Sequence, residues 1–272
     1  MLFAMTASAE PIVVQRYWNL VDLLIRWLDL TGTASALMHL CGALICIIVP
    51  YLLGSINPAI LISKTVYHED IRDFGSGNAG TTNMLRTYGK KAAIATFALD
   101  LAKAAVAVIL GKLIWESDGG ALAGFFVMFG HMFPLDYRFR GGKGVAASIG
   151  ILLMIDWRLV LIAGIPALLV MVISRMMSVA SLTFETLCFV GLAVLCFHMD
   201  FYYGILLATF CYPAMSFWRH RSNLVRIAHG EESKLWGKGS KNTREIPKDQ
   251  YEEDIEKLDE QAGVDMHHHN RK

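Results

Sequence analysis

Three stretches of this chain combine glycine with basic and amide side chains, the residue types that hold phosphate oxygens. Asp70–Lys91 reads DIRDFGSGNAGTTNMLRTYGKK, His131–Gly144 reads HMFPLDYRFRGGKG, and His220–Glu232 reads HRSNLVRIAHGEE. Glycine frees backbone N–H groups to form a concave anion nest, and lysine and arginine supply charge. In the first stretch Gly75, Ser76, Gly77, Asn78, Gly80, Thr81, Thr82 and Asn83 form such a loop, with side-chain donors among the glycines. Lys143 stands between glycines in the second, and His220, Asn223, Arg226 and Glu232 lie in the third.

Near matches to better-known phosphate loops fail on context. Gly75, Gly77 and Gly80 fit G-x-G-x-x-G, but no hydrophobic strand precedes them and no βαβ unit or acidic partner follows. Gly142-Lys143-Gly144 lacks the upstream glycine and following hydroxyl residue of a nucleotide-binding loop. His131 and Asp136 have the H-x-x-x-x-D spacing of an acyltransferase class whose aspartate orients a histidine base, but Pro134 between them leaves their geometry open. Asp100 and Lys103 fall within an apolar run at i, i+3 spacing, suited to a buried ion pair or to the wall of a polar cavity. Ser55, Asn57 and Lys64 close an earlier apolar run and lead into the glycine-rich loop.

The elements that must position these residues are membrane helices. Of the 272 residues 54% are hydrophobic and only 18% charged, with mean hydropathy +0.43, whereas a soluble domain carries about 25% charged residues. The apolar blocks are long enough to cross hydrocarbon, which takes about 20 helical residues. Seven can be drawn: Leu40–Ser63, Ala92–Trp115, Ala121–Leu135, Val145–Ile155, Leu159–Ile173, Val179–Phe197 and Tyr202–Trp218. Pro134 and Pro166 leave five or six full spans as the alternative. The expectation is an all-α integral membrane protein of about seven transmembrane helices. Basic residues follow the odd-numbered blocks and acidic ones the even-numbered, so the positive-inside rule puts the N-terminus outside and the C-terminus in the cytoplasm. All three motifs then share the cytoplasmic side.

Residues 1–36 read as an extension in which Val13–Leu30 alternates apolar and charged side chains, as in a helix lying on the bilayer surface. Residues 37–232 form the membrane domain, and 233–272 a charged cytoplasmic tail. Cys41, Cys46, Cys188, Cys196 and Cys211 lie in apolar blocks without metal-ligand spacing, so no metal is expected.

The three motifs, in this order and between these spans, strongly resemble the bacterial acyl-phosphate:glycerol-3-phosphate acyltransferases of the PlsY type, over about Ile48–Glu232. The resemblance implies a seven-helix fold in the bacterial inner membrane with the active site facing the cytoplasm. It implies transfer of a fatty acyl group from acyl phosphate to the 1-hydroxyl of glycerol 3-phosphate, giving lysophosphatidic acid and inorganic phosphate, without a cofactor. Carried over by residue, Gly75–Asn83 would hold the acyl phosphate, and Ser55, Arg72, Lys103, Lys143 and Ser148 would line the cavity and grip phosphates. His220, Asn223 and Glu232 would bind glycerol 3-phosphate or hold the site together, with His220, Asn223 and Lys103 the catalytic candidates. Ala104 and Ala147 depart from glycine and threonine in the family pattern, and Asp136 is not part of it. The partners implied are the two substrates and the bilayer, with no nucleic acid; enzymes that make or use the substrates are candidates to dock. Two other readings remain: a thioester-using acyltransferase working through His131/Asp136, and a transporter for a phosphorylated metabolite. The transporter would need inverted repeats and a polar path to both faces, and neither is visible.

Overall fold

Backbone groups in hydrocarbon must bond within their own segment, and the described residues, 19–198 and 214–236 of the computed structural model, are helical with no β-strand among them. The helices are α1 (Leu20–Trp27), α2 (Gly32–Ser55), α3 (Pro58–Val66), α4 (Thr81–Tyr88), α5 (Lys90–Met132), α6 (Val145–Ser174), α7 (Met177–His198) and α8 (Arg221–Ala228). Among the described residues, four stretches are long and apolar enough to cross a membrane: Gly32–Val66, Lys90–Tyr137, Val145–Ser174 and Met177–Val194. The expected segment Tyr202–Trp218 lies largely outside the described residues, as do Val13–Trp18 of the expected surface helix and the tail beyond Trp236.

Two of these helices are interrupted. Trp115 and Glu116 leave helical geometry inside α5, and the chain doubles back there. Lys103 and His131, 28 residues apart, bring Nζ and Nδ1 to 3.0 Å, where a straight helix would separate them by about 42 Å. The two limbs approach so closely that a Cβ on Gly111 would lie 2.2 Å from the Gly119 carbonyl oxygen, and the reverse holds too. In α6 the break is Asp156, at φ −154° and ψ 102°. Leu152 before it and Leu159, Ala163 and Ala167 after it share one apolar cluster with Phe184, Cys188 and Leu192 of α7. The breaks fall where Glu116/Asp118 and Asp156/Arg158 separate expected segments.

The first expected segment, Leu40–Ser63, is not one helix. It breaks at Ile56–Asn57, where Asn57 caps α3 by accepting from the Ile60 amide at 3.1 Å and Pro58 takes the first helical position. Glycines let α2 cross the second limb of α5 backbone to backbone: a Cβ on Gly54 would lie 2.1 Å from the Val127 oxygen, and one on Gly130 2.2 Å from the Tyr51 oxygen. Small residues at such crossings are how helices associate where lipid provides no hydrophobic drive. α1 packs against α2 and α5 through buried Val21 while Leu23 and Trp27 stay exposed.

Cross-links between loops place the three motifs at one pole of the bundle. Arg72 donates to the Tyr137 carbonyl at 3.0 Å, Arg86 to that of Ser233 at 3.2 Å, and the Leu235 amide to that of Arg175 at 2.8 Å.

Candidate active site

The first motif is a loop wrapped around one side chain. Asn83 Oδ1 accepts from the Ser76 amide at 2.9 Å, and its Nδ2 donates to the carbonyls of Ile71 (3.1 Å) and Phe74 (2.8 Å). Asn83 is thereby committed to the loop's shape. Gly75 and Gly77 take φ of +59° and +66°, which L side chains resist. The loop feeds α4 at Gly80 with no side-chain cap, so the Thr81 and Thr82 amides at the helix start lack an intrahelical acceptor. Thr81 Oγ1 is buried without a hydrogen-bond partner. Open amides and an unsatisfied hydroxyl at a helix N-terminus are the donors an anion needs. Asn57 Nδ2 reaches the Ala79 carbonyl at 3.4 Å and ties the loop to the break after α2.

Arg72 grips Asp70 with Nε and Nη2, at 2.9 and 2.7 Å. Burial would raise the Asp70 pKa, but Arg72 and Lys64 outweigh it and hold it down to about 2. Ser55 donates to the Tyr51 carbonyl at 3.0 Å and accepts from the Leu135 amide at 3.4 Å. Ser148 is buried one turn into α6; its hydroxyl is 2.7 Å from the Val145 carbonyl and 3.1 Å from Glu185 Oε1 on α7. It also borders an apolar cavity with Ala121, Phe125, Ile151 and Leu192.

The second and third motifs meet at Lys143. Its Nζ contacts Asn223 Oδ1. Asn223 Nδ2 donates to Glu232 Oε1 at 2.8 Å, Ser178 Oγ donates to the same oxygen at 2.8 Å, and Arg226 Nε donates to Oε2 at 2.9 Å. Burial opposes the Glu232 charge, yet Arg226, Ser178 and Asn223 hold its pKa below the usual range. Burial, with Arg226, Arg219 and Arg86 nearby, drives the Lys143 pKa down to about 7, although Glu232 pulls it up. Burial and Lys143 likewise push His220 to about 4. His220 Nδ1 lies 2.9 Å from the Ser216 carbonyl, which only accepts. In the neutral ring Nδ1 therefore carries the proton and Nε2 is left an acceptor. Arg219 closes the assembly by donating from Nε to the Gly142 carbonyl at 3.1 Å.

Beneath these loops lies a buried cluster. Lys103 Nζ is 2.9 Å from Asp100 Oδ1, and His131 Nδ1 is 3.1 Å from the same oxygen. The i, i+3 pairing of Asp100 with Lys103 holds as the spacing suggests. The pairing of His131 with Asp136 does not: His131 is buried facing Asp100, and Asp136 is exposed on the short turn Leu135–Tyr137. The spacing misled because Pro134 turns the chain out of α5 between the two residues. Arg86, Ser178, Arg219 and Glu185 are not among the site residues the sequence motifs single out; the signal that could find Glu185 is a lone acid in an apolar run.

A family model described as glycerol-3-phosphate acyltransferase matches residues 44–230. The chain belongs to the glycerol-3-phosphate acyltransferase family. Curated members include the glycerol-3-phosphate acyltransferase of Thermoanaerobacter sp. (strain X514), 39% identical over 195 residues that cover 71% of this chain and 96% of that protein. That of Finegoldia magna is 40% identical over 188 residues, 69% of this chain and 93% of that one. Among solved structures, the chain is similar to the crystal structure of PlsY (YgiH), an integral membrane glycerol 3-phosphate acyltransferase, in its glycerol 3-phosphate form. The TM-score is 0.66 at 31% identity, over 72% of this chain and 96% of that one. The lysophosphatidic acid form gives 0.63 at 30% identity, over 71% and 94%. Helix α1 and the first turns of α2 precede the matched family segment.

Proposed function

We propose that the protein transfers a fatty acyl group from acyl phosphate to the 1-hydroxyl of glycerol 3-phosphate, producing lysophosphatidic acid and inorganic phosphate at the cytoplasmic face of the bacterial inner membrane. The observation that carries this reading is the convergence of all three motifs on Lys143, whose charged neighbours are Arg86, Arg219, Arg226 and the carboxylate of Glu232. Two anionic substrates repel each other, and a cationic pole offsets that repulsion while aligning the hydroxyl with the carbonyl. The loop Gly75–Thr82 holds the acyl phosphate through its open amides and the Thr81 hydroxyl. Lys143, His220 and Asn223 hold glycerol 3-phosphate. The acyl chain lies among apolar helices, and seven spans fit the family pattern and the two helix breaks.

Chemistry follows from the donor. The 1-hydroxyl oxygen attacks the acyl carbonyl, the new C–O ester bond forms, and the C–O bond to phosphate breaks as phosphate departs. His220 Nε2 accepts a hydrogen bond from the hydroxyl and orients it. A histidine of pKa about 4 is a weaker proton acceptor than a phosphate whose second pKa is about 6, so the proton ends on the departing phosphate. No covalent enzyme intermediate is needed. The deciding experiment offers palmitoyl phosphate and palmitoyl-CoA in parallel to purified protein with glycerol 3-phosphate. Turnover with acyl phosphate alone is expected; turnover with the thioester alone would refute the donor assignment.

A further inference from the structure

The cluster Asp100–Lys103–His131 is nine-tenths buried or more, yet it touches both halves of the site. Lys103 Nζ donates to the Gly54 carbonyl at 3.1 Å and to that of Ile56 at 2.7 Å, the two that flank Ser55. These acceptors are exposed because α2 ends there, and a helix C-terminus leaves its last carbonyls unpaired. With its third proton on His131 Nδ1 at 3.0 Å and Asp100 beside it as an ion pair at 2.9 Å, the ammonium has no donor left for substrate. Because an ammonium only donates, the Nδ1 of neutral His131 is the acceptor of that bond, and the ring proton sits on Nε2, which faces the other way.

That nitrogen bears on Gly142. A Cβ at Gly142 would lie 2.2 Å from His131 Nε2 and 2.8 Å from the Ala79 carbonyl oxygen. The Gly142 amide also donates to the His131 carbonyl at 3.2 Å, and Arg219 holds the Gly142 carbonyl from above. Gly142 is therefore wedged between the ring edge of His131 and the glycine-rich loop, one residue before Lys143.

We infer that His131, backed by Asp100 and Lys103, is a positioning residue that sets the Gly141–Gly144 turn and so the placement of Lys143 against glycerol 3-phosphate. Lys103 performs the matching task for Ser55 and does not itself meet substrate. This rests on the assignment of Lys143 to glycerol 3-phosphate made above.

The test is steady-state kinetics with melting temperatures for His131→Ala, His131→Asn and His131→Gln, with Lys143→Ala alongside. Asparagine reaches only as far as Nδ1 and can accept from Lys103; glutamine reaches the position of Nε2 and can support Gly142. His131→Ala and His131→Asn should raise KM for glycerol 3-phosphate about tenfold with kcat nearly kept, as loss of binding common to the ground and transition states does. His131→Gln should recover most of that KM even where its melting temperature falls. A KM that follows melting temperature instead of side-chain reach overturns the inference, and should the alanine variant not fold, the asparagine–glutamine contrast still decides. An unmoved KM in the His131 variants, with a raised one in Lys143→Ala, overturns the inference and leaves the site assignment standing. An unmoved KM in Lys143→Ala removes the assignment on which the inference rests.

Discussion

Replacing Glu232 by glutamine isolates one oxygen of the carboxylate that binds the third motif together. Glutamine can keep Oε1, which accepts from Asn223 and Ser178 at 2.8 Å each. In place of Oε2 it presents an amide donor to Arg226 Nε, now 2.9 Å from its acceptor. One charge-assisted hydrogen bond disappears and a half-buried guanidinium loses its anion, a cost of about 2 kcal/mol. For a chain of this size that lowers the melting temperature by about 4–8 °C. Because native interactions depress the Glu232 pKa, its stabilisation is present above the unfolded value of 4.5 and lost as pH falls through the lower folded value. The gap between wild type and variant should therefore narrow in acid. The same substitution removes the interaction that raises the Lys143 pKa toward its value of about 7. On the proposed role of Lys143 in holding phosphate, which requires its charge, kcat/KM for glycerol 3-phosphate should fall as pH rises through about 7, and in Glu232→Gln this fall should begin at lower pH. Thermal unfolding in detergent and a pH profile of kcat/KM test both halves. A variant with wild-type melting and an unmoved alkaline limb would refute the reasoning.

Lys143→Arg should abolish the alkaline limb, since a guanidinium stays charged across the assay range; a limb that persists near pH 7 would assign it to another group. Gly75→Ala places a Cβ 2.0 Å from Asn83 Oδ1 at φ +59° and should raise KM for acyl phosphate about tenfold or more with less effect on glycerol 3-phosphate, read from both saturation curves. Gly54→Leu forces its Cβ against the Val127 oxygen, 2.1 Å away, and should cut the yield of folded protein by size-exclusion chromatography. Asp136→Asn, altering an exposed residue away from His131, should leave turnover within about twofold, as surface changes usually do.

Charge order along the sequence correctly gathers the three motifs at one pole, because each joins apolar runs at the same end. Acidic residues at 116, 118 and 156 likewise mark the helix breaks. The break at Ile56–Asn57 is signalled by Asn57-Pro58, but its apolar flanks blend into one hydrophobic run. The partner of His131 is invisible in spacing: Asp100 lies on the other limb of the α5 hairpin, and only folding back brings it within 3.1 Å. Asn83 reads as a phosphate donor from its motif, whereas the folded loop spends its amide on Ile71 and Phe74. Residue type reveals capacity to bond; the competing backbone acceptor appears only in three dimensions.

The capping of α2 by Lys103 bears on how the protein enters the bilayer. Until Lys103 arrives, the open carbonyls of Gly54 and Ile56 would face lipid; until α2 arrives, Lys103 and Asp100 would carry charge into hydrocarbon, at about 2.5–3.5 kcal/mol each. Neither segment is content alone during synthesis. α2 and the hairpin of α5 should therefore leave the insertion machinery together, and nascent chains halted after Trp115 should stay cross-linked to it longer than chains extended past Gly144.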